Sequence, residues 1–204
     1  DMNTPLIVSA FHGSLVDPEL GAQAIVDASN PHIGLGSGVS GAIREACGGH
    51  AFQREVRSRW EEDFEQPLES DDCLVTGAGT ASWLRWVLHV AAVDYKHPDP
   101  RTGGPTGPKR VRQCFSAAIE EARFLAREHD LIGRLVLGTP LIGAGHGGLG
   151  EVVSLDSMMA ALREVLEKEH DEMSEVRFAV MAPHLVTLVH RAAEKHGVPL
   201  RPTS

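Results

Sequence analysis

The sequence predicts an α/β domain, a mostly parallel or mixed sheet covered by helices on both faces. Three observations predict it. Short apolar, β-branched runs alternate with stretches of helical periodicity along the chain. Two of those runs lead directly or closely into glycine-rich loops. Hydrophobic residues at 42% and charged residues at 23% over 204 residues are the balance of a folded globular domain.

Leu6-Ile7-Val8-Ser9-Ala10-Phe11 is the first such run, ends near Gly13 and reads as a strand. Ala24-Ile25-Val26-Asp27-Ala28 is the second, closed by Asn30-Pro31. Gly34, Gly36, Gly38 and Gly41 follow, and then Ala42-Ile43-Arg44-Glu45-Ala46 reads as a helix. Residues 51–65 are polar, with Phe52, Val56, Trp60 and Phe64 at roughly helical spacing, which predicts a surface helix. With Glu69-Ser70-Asp71-Asp72 they are expected to form an acidic surface insertion around residues 50–72. Cys73-Leu74-Val75-Thr76 and Trp86-Val87-Leu88-His89-Val90-Ala91 are further strands. Residues 95–108 are rich in proline and glycine and are expected to be a mobile loop.

Residues 111–128 read as a helix whose apolar face carries Val111, Phe115, Ile119, Ala122 and Leu125. Leu135-Val136-Leu137 is a strand leading to a second glycine loop at residues 143–150. A helix over 155–169, a strand over 176–181 and a helix over 185–196 complete the pattern. With no internal repeat and no boundary signal, residues 1–204 are expected to be a single domain.

Composition also narrows the function. A formal net charge of −9 argues against extended nucleic-acid binding, which draws its affinity from neutralising phosphates. No apolar run approaches the ~20 residues of a membrane span, so no membrane partner is expected. The first five residues lack the pattern of a signal peptide. Cys47, Cys73 and Cys114 are too scattered for a disulfide framework or a Cys-x-x-Cys site, which fits a reducing cytoplasm. His184, His190 and His196 recur at an interval that rotates around a helix, so no metal site is expected.

The two glycine loops carry the chemistry. Gly34-Leu35-Gly36-Ser37-Gly38-Val39-Ser40-Gly41 precedes a helix whose first N–H groups and dipole suit a diphosphate. Its G-x-G-x-x-G spacing also fits a dinucleotide site, but Asn30 to Leu35 separate it from its strand and no suitably placed ribose acid follows. The second loop, from Thr139-Pro140 through Gly143, Gly145, Gly147, Gly148 and Gly150, can point consecutive N–H groups one way as an anion nest. Neither loop has a P-loop lysine.

These segments resemble the macro domain family. Ala24-Ile25-Val26-Asp27-Ala28-Ser29-Asn30 is similar to its A-I-V-N-A-A-N strand, and Gly36-Ser37-Gly38-Val39-Ser40-Gly41-Ala42-Ile43 to its G-G-G-V-D-G-A-I loop. Thr76-Gly77-Ala78-Gly79 and the strand through His89 resemble its T-x-G and I-H-x-V segments, and Pro140 to Leu149 resembles P-A-I-S-T-G-I-Y-G-F. The resemblance implies a three-layer α/β/α sandwich with an ADP-ribose cleft at the sheet edge. It implies that Asn30 meets the distal ribose. Gly36, Ser37, Gly38 and Val39 would bracket the diphosphate from one side, and Gly143, Ala144, Gly145 and His146 from the other, with Ser40, Pro140 and Gly147 also among the ligand-binding residues. Ser14 and Leu15, with Pro183 or His184, would stand at the adenine end.

The chain departs from the family at four informative positions. Ser14 replaces the adenine-reading aspartate, Asp27 an asparagine, Ser40 an acid beside the distal ribose, and Gly147 an aromatic residue. The expected activity is ADP-ribose binding, with hydrolysis of ADP-ribosyl linkages on a modified target as its enzymatic form. Asn30, Asp27 and His146 are the candidate catalytic residues, with His32 and Ser40 also near the distal end. His89, on an apolar strand, reads as a core histidine. No cofactor is implied. A non-catalytic ADP-ribose reader is the second reading and a nicotinamide-dependent oxidoreductase the third.

Overall fold

A computed structural model describes residues 6–168 and 172–202, so the start of the chain considered for a signal peptide lies outside the described residues. Among those described are six strands and five α-helices. In chain order they are β1 (Ile7–His12), β2 (Ala24–Ser29), α1 (Gly38–Cys47), α2 (His50–Asp63), β3 (Cys73–Gly77) and β4 (Trp86–Ala91). Then come α3 (Pro108–Glu128), β5 (Leu135–Thr139), α4 (Glu151–Glu167), β6 (Met173–Val180) and α5 (Pro183–Lys195).

The sheet runs β1-β6-β5-β2-β4-β3, parallel throughout except for β3, which lies antiparallel to β4. Side chains alternate across it because the strand repeat is two residues. Along β2, Ala24 and Val26 join the core beneath α3, α4 and α5, whereas Ile25 joins the core beneath α1 and α2. Asp27 therefore points, with Ile25, toward the α1/α2 layer. This is a mixed, mostly parallel α/β sandwich, as the sequence predicts.

Element ends differ from expectation where glycine and capping set them. α1 begins at Gly38, four residues before the apolar run starts, because Ser37 takes an extended N-cap conformation. α4 begins at Glu151 rather than Leu155, directly after Gly150 turns the chain with φ +84°, and its first-turn carboxylate suits the helix dipole. It ends at Glu167, and the expected terminus at Glu169 lies outside the described residues. Most of the stretch read as an acidic insertion is α2, held to the sheet by buried Phe52 and Val56. The proline-rich segment is cross-tied: Asp99 accepts from the amides of Arg101 and Thr102, and Thr102 donates to the Thr106 carbonyl.

Because five strands are parallel, their carboxyl ends share one edge. β2 and β5 are neighbours there, yet the helices that follow them, α1 and α4, cover opposite faces. Such a divergence opens a crevice outside the strand ends.

Candidate functional site

A cleft of about 410 Å³ occupies that crevice, a size suited to a small-molecule ligand. Ser37, Gly38, Val39 and Ser40 line one side. Pro140, Leu141, Gly143, Gly145, His146 and Gly147 line the other. Ala28 at the end of β2 and Ala92 and Val93 after β4 complete it. No lysine or arginine stands among these lining residues.

What the two sides offer instead is main-chain N–H groups. Ser37 makes no side-chain cap to α1, and the first-turn amides of Gly38, Val39 and Ser40 have no intrahelical acceptor. In the second loop Ala144, Gly148 and Leu149 donate to loop carbonyls. The amides of Gly145, His146 and Gly147 donate to no protein acceptor among the described residues. Two sets of free donors thus border one space, with the positive end of the α1 dipole behind one of them.

Two glycines are required by this geometry. Gly38 has φ +59°, and a Cβ there would come within 3.0 Å of the His146 ring, so the two loops nearly touch. A Cβ at Gly147 would lie 2.5 Å from the Gly143 carbonyl oxygen and 2.8 Å from Thr106 Cγ2. The aromatic residue that the family resemblance leads one to expect at position 147 has no room in this loop conformation.

Beneath the Ser40 side, a buried polar chain runs away from the cleft. Ser40 Oγ donates to Asp27 Oδ1 at 2.5 Å. Asp27 Oδ2 meets His89 Nδ1 at 2.7 Å, and His89 Nε2 meets Thr76 Oγ1 at 2.9 Å. Asp27 and His89 are fully buried, and strand pairing sets them side by side in register. A carboxylate in such surroundings needs donors on both oxygens, and it has them. His89, read from the sequence as a core histidine, is one and has a partner on each nitrogen.

The other expected site residues lie outside the cleft lining. Asn30 follows β2, but its amide holds its own turn: Oδ1 accepts from the His32 and Gly34 amides, and Nδ2 donates to the Gly34 carbonyl. Gly36 is exposed just before the lining residues, and Ala144 sits between two of them. Ser14 accepts from the Val16 amide and Leu15 is buried in the α1/α2 core. Pro183 and His184 are exposed in the first turn of α5. Ser14, Asn30 and His184 share the carboxyl edge of the sheet with the cleft, since each follows a parallel strand.

Sequence reasoning missed Ala92 and Val93, apolar lining residues with no motif to mark them, Ala28 and Leu141, which lie in motif segments but carry no polar group to single them out, and Thr76 behind His89. Thiol chemistry is disfavoured. Burial, with Asp27 and Glu55 nearby, pushes the Cys47 thiol up to about 11, and burial pushes Cys114 up to about 12. Burial also raises Cys73 well above the usual thiol range.

Fold and cleft together define a class of mostly parallel α/β sandwich with a crevice at the switch point of its strand order. The Macro domain family matches residues 26–156, and the chain belongs to that family. An uncharacterized protein of Pyrobaculum aerophilum is 31% identical over 147 residues, 72% of this chain and 70% of that protein. The fold is also similar to the Oceanobacillus iheyensis macrodomain with ADP, at TM-score 0.73 and 16% identity, covering 96% of this chain and 93% of the other. The Trypanosoma brucei macrodomain in complex with ADP-ribose superposes with TM-score 0.70 at 20% identity, covering 91% of this chain and 68% of the other.

Proposed function

We propose that the cleft binds ADP-ribose and that the protein hydrolyses ADP-ribosyl esters on modified targets. The observation that carries the reading is the pair of free amide sets across one cleft, Gly38 to Ser40 against Gly145 to Gly147. A diphosphate between them would accept hydrogen bonds from both sides without a cationic side chain. Macrodomain relatives of the same fold, one with ADP and one with ADP-ribose, support the nucleotide part of the ligand.

The distal ribose would lie toward Ser40 and His146. Asp27, through Ser40, supplies a carboxylate at that end, and His146 stands exposed on the opposite side. Ser14 and His184 are the groups proposed for the adenine end. One observation favours a reader without turnover: Asn30 is engaged in its own turn and does not line the cleft.

Titration calorimetry with ADP-ribose, AMP and NAD tests the assignment. ADP-ribose is expected to bind most tightly, and a preference for NAD would replace this reading with the oxidoreductase one. Incubation with a protein carrying ester-linked ADP-ribose then separates hydrolase from reader by release of free ADP-ribose.

A further inference from the structure

We infer that Ser40 is the proton-accepting residue of the cleft, working as a relay to the buried carboxylate of Asp27, with His89 and Thr76 as positioning residues that aim that carboxylate. The inference rests on the reading of the cleft as an ADP-ribose site. Ser40 is the cleft-lining residue whose hydroxyl is bonded to a buried acid, at a separation of 2.5 Å that fits a charge-assisted O–H···O bond.

Asp27 is met by a hydrogen bond on each of its oxygens. Nδ1 of His89, 2.7 Å from a carboxylate oxygen, carries the ring proton and donates it. Nε2 lies 2.9 Å from Thr76 Oγ1, whose hydroxyl donates to the Gly77 carbonyl at 2.9 Å, so that the threonine is itself anchored to the backbone. Ser40 donates to the other oxygen. The carboxylate thus meets Ser40 at one oxygen and His89 at the other, and Oδ1 is the atom placed to take the Ser40 proton. The ring cannot turn without losing Thr76, and the carboxylate cannot turn without losing His89.

The step balances with water as co-reactant. The water oxygen forms a bond to the anomeric carbon of the distal ribose. The bond from that carbon to the ester oxygen breaks, and its electron pair leaves on the departing carboxylate. One water proton passes to Ser40 Oγ as the Ser40 proton passes to Asp27 Oδ1. The remaining water O–H becomes the ribose hydroxyl. After the products leave, Asp27 returns its proton through Ser40 to solvent entering the cleft. Asp27, fully buried, acts only through Ser40.

Ser40→Ala removes the relay but keeps the backbone amide. It is expected to lower turnover of the ester by about 100-fold or more, the scale of general acid–base catalysis. Its dissociation constant for ADP-ribose should stay within about threefold of wild type, since no binding group is lost. Two protons move together in wild type, so its rate should curve with the deuterium fraction of the solvent, and Ser40→Ala should lose that curvature. Thr76→Val, outside the cleft lining, should lower kcat by about tenfold without changing KM, and Thr76→Ser should restore it. Thermal melts of each variant check that it is folded. Turnover within about threefold of wild type in folded Ser40→Ala would overturn the relay. So would a wild-type protein that binds ADP-ribose but releases none from the ester, and this leaves the binding reading standing. Failure to bind ADP-ribose at all would overturn both.

Discussion

Gly38 meets two constraints at once: a positive φ and the His146 ring 3.0 Å from where its Cβ would be. Replacement by glutamate adds about 1–2 kcal/mol of backbone strain, fills the gap between the loops and sets a negative charge among the amides. Gly38→Glu should weaken ADP-ribose binding by more than about 100-fold, some 2.7 kcal/mol by calorimetry. Unchanged affinity would remove the cleft from consideration. At this scale the sequence was only partly readable. Gly38, Gly143 and Gly147 were legible because glycine clusters announce close backbone approach. The bond between Asp27 and Ser40 was not, since its 13-residue separation says nothing about which face of β2 meets the start of α1. Asn30 is a different case. A motif gives a side chain's place in the chain, but its own turn competes for the amide.

Whole elements were easier to read than their ends. Each strand and helix predicted from periodicity has a counterpart, because the apolar pattern records burial. The early starts of α1 and α4 were hidden because their first turns mix glycine or polar residues with β-branched valines that stay exposed and so leave no core-facing periodicity. One tie between elements makes a separate prediction. Glu172, just before β6, accepts from Arg123 Nε at 2.7 Å and Arg127 Nη1 at 3.0 Å, holding the strand to α3. Burial pushes its carboxyl up, but the Arg123 hydrogen bond and charge, with Arg127, outweigh this and hold it below the usual glutamate value. A lowered folded value means that the stabilisation is present above the unfolded pKa and disappears as pH falls through the folded one. Glu172→Gln should therefore cost about 1–3 kcal/mol near neutrality. Denaturant melts should show the difference from wild type shrinking in acid below the ordinary glutamate range, and a gap that persists there would refute the ion-pair explanation.

For the molecule as a whole, ligand binding and stability are linked. ADP-ribose at about 100 times its dissociation constant should add about 2.7 kcal/mol, raising Tm by roughly 5–10 °C for a chain of this size. AMP, which reaches only part of the cleft, should give less at the same concentration, and equal shifts would argue against a diphosphate site. The fold class was legible at this scale because strand–helix alternation admits few layered solutions. The order of strands was not, yet that order creates the crevice by setting β2 beside β5.

A cradle of main-chain donors has a consequence for mutational scanning. Truncating Ser37 or Val39 to alanine leaves every amide in place, so an alanine scan would rank this part of the cleft as nearly silent. Proline replacements, which delete the donor itself, would expose it. The same insulation lets side chains there change while the main-chain donors stay in place.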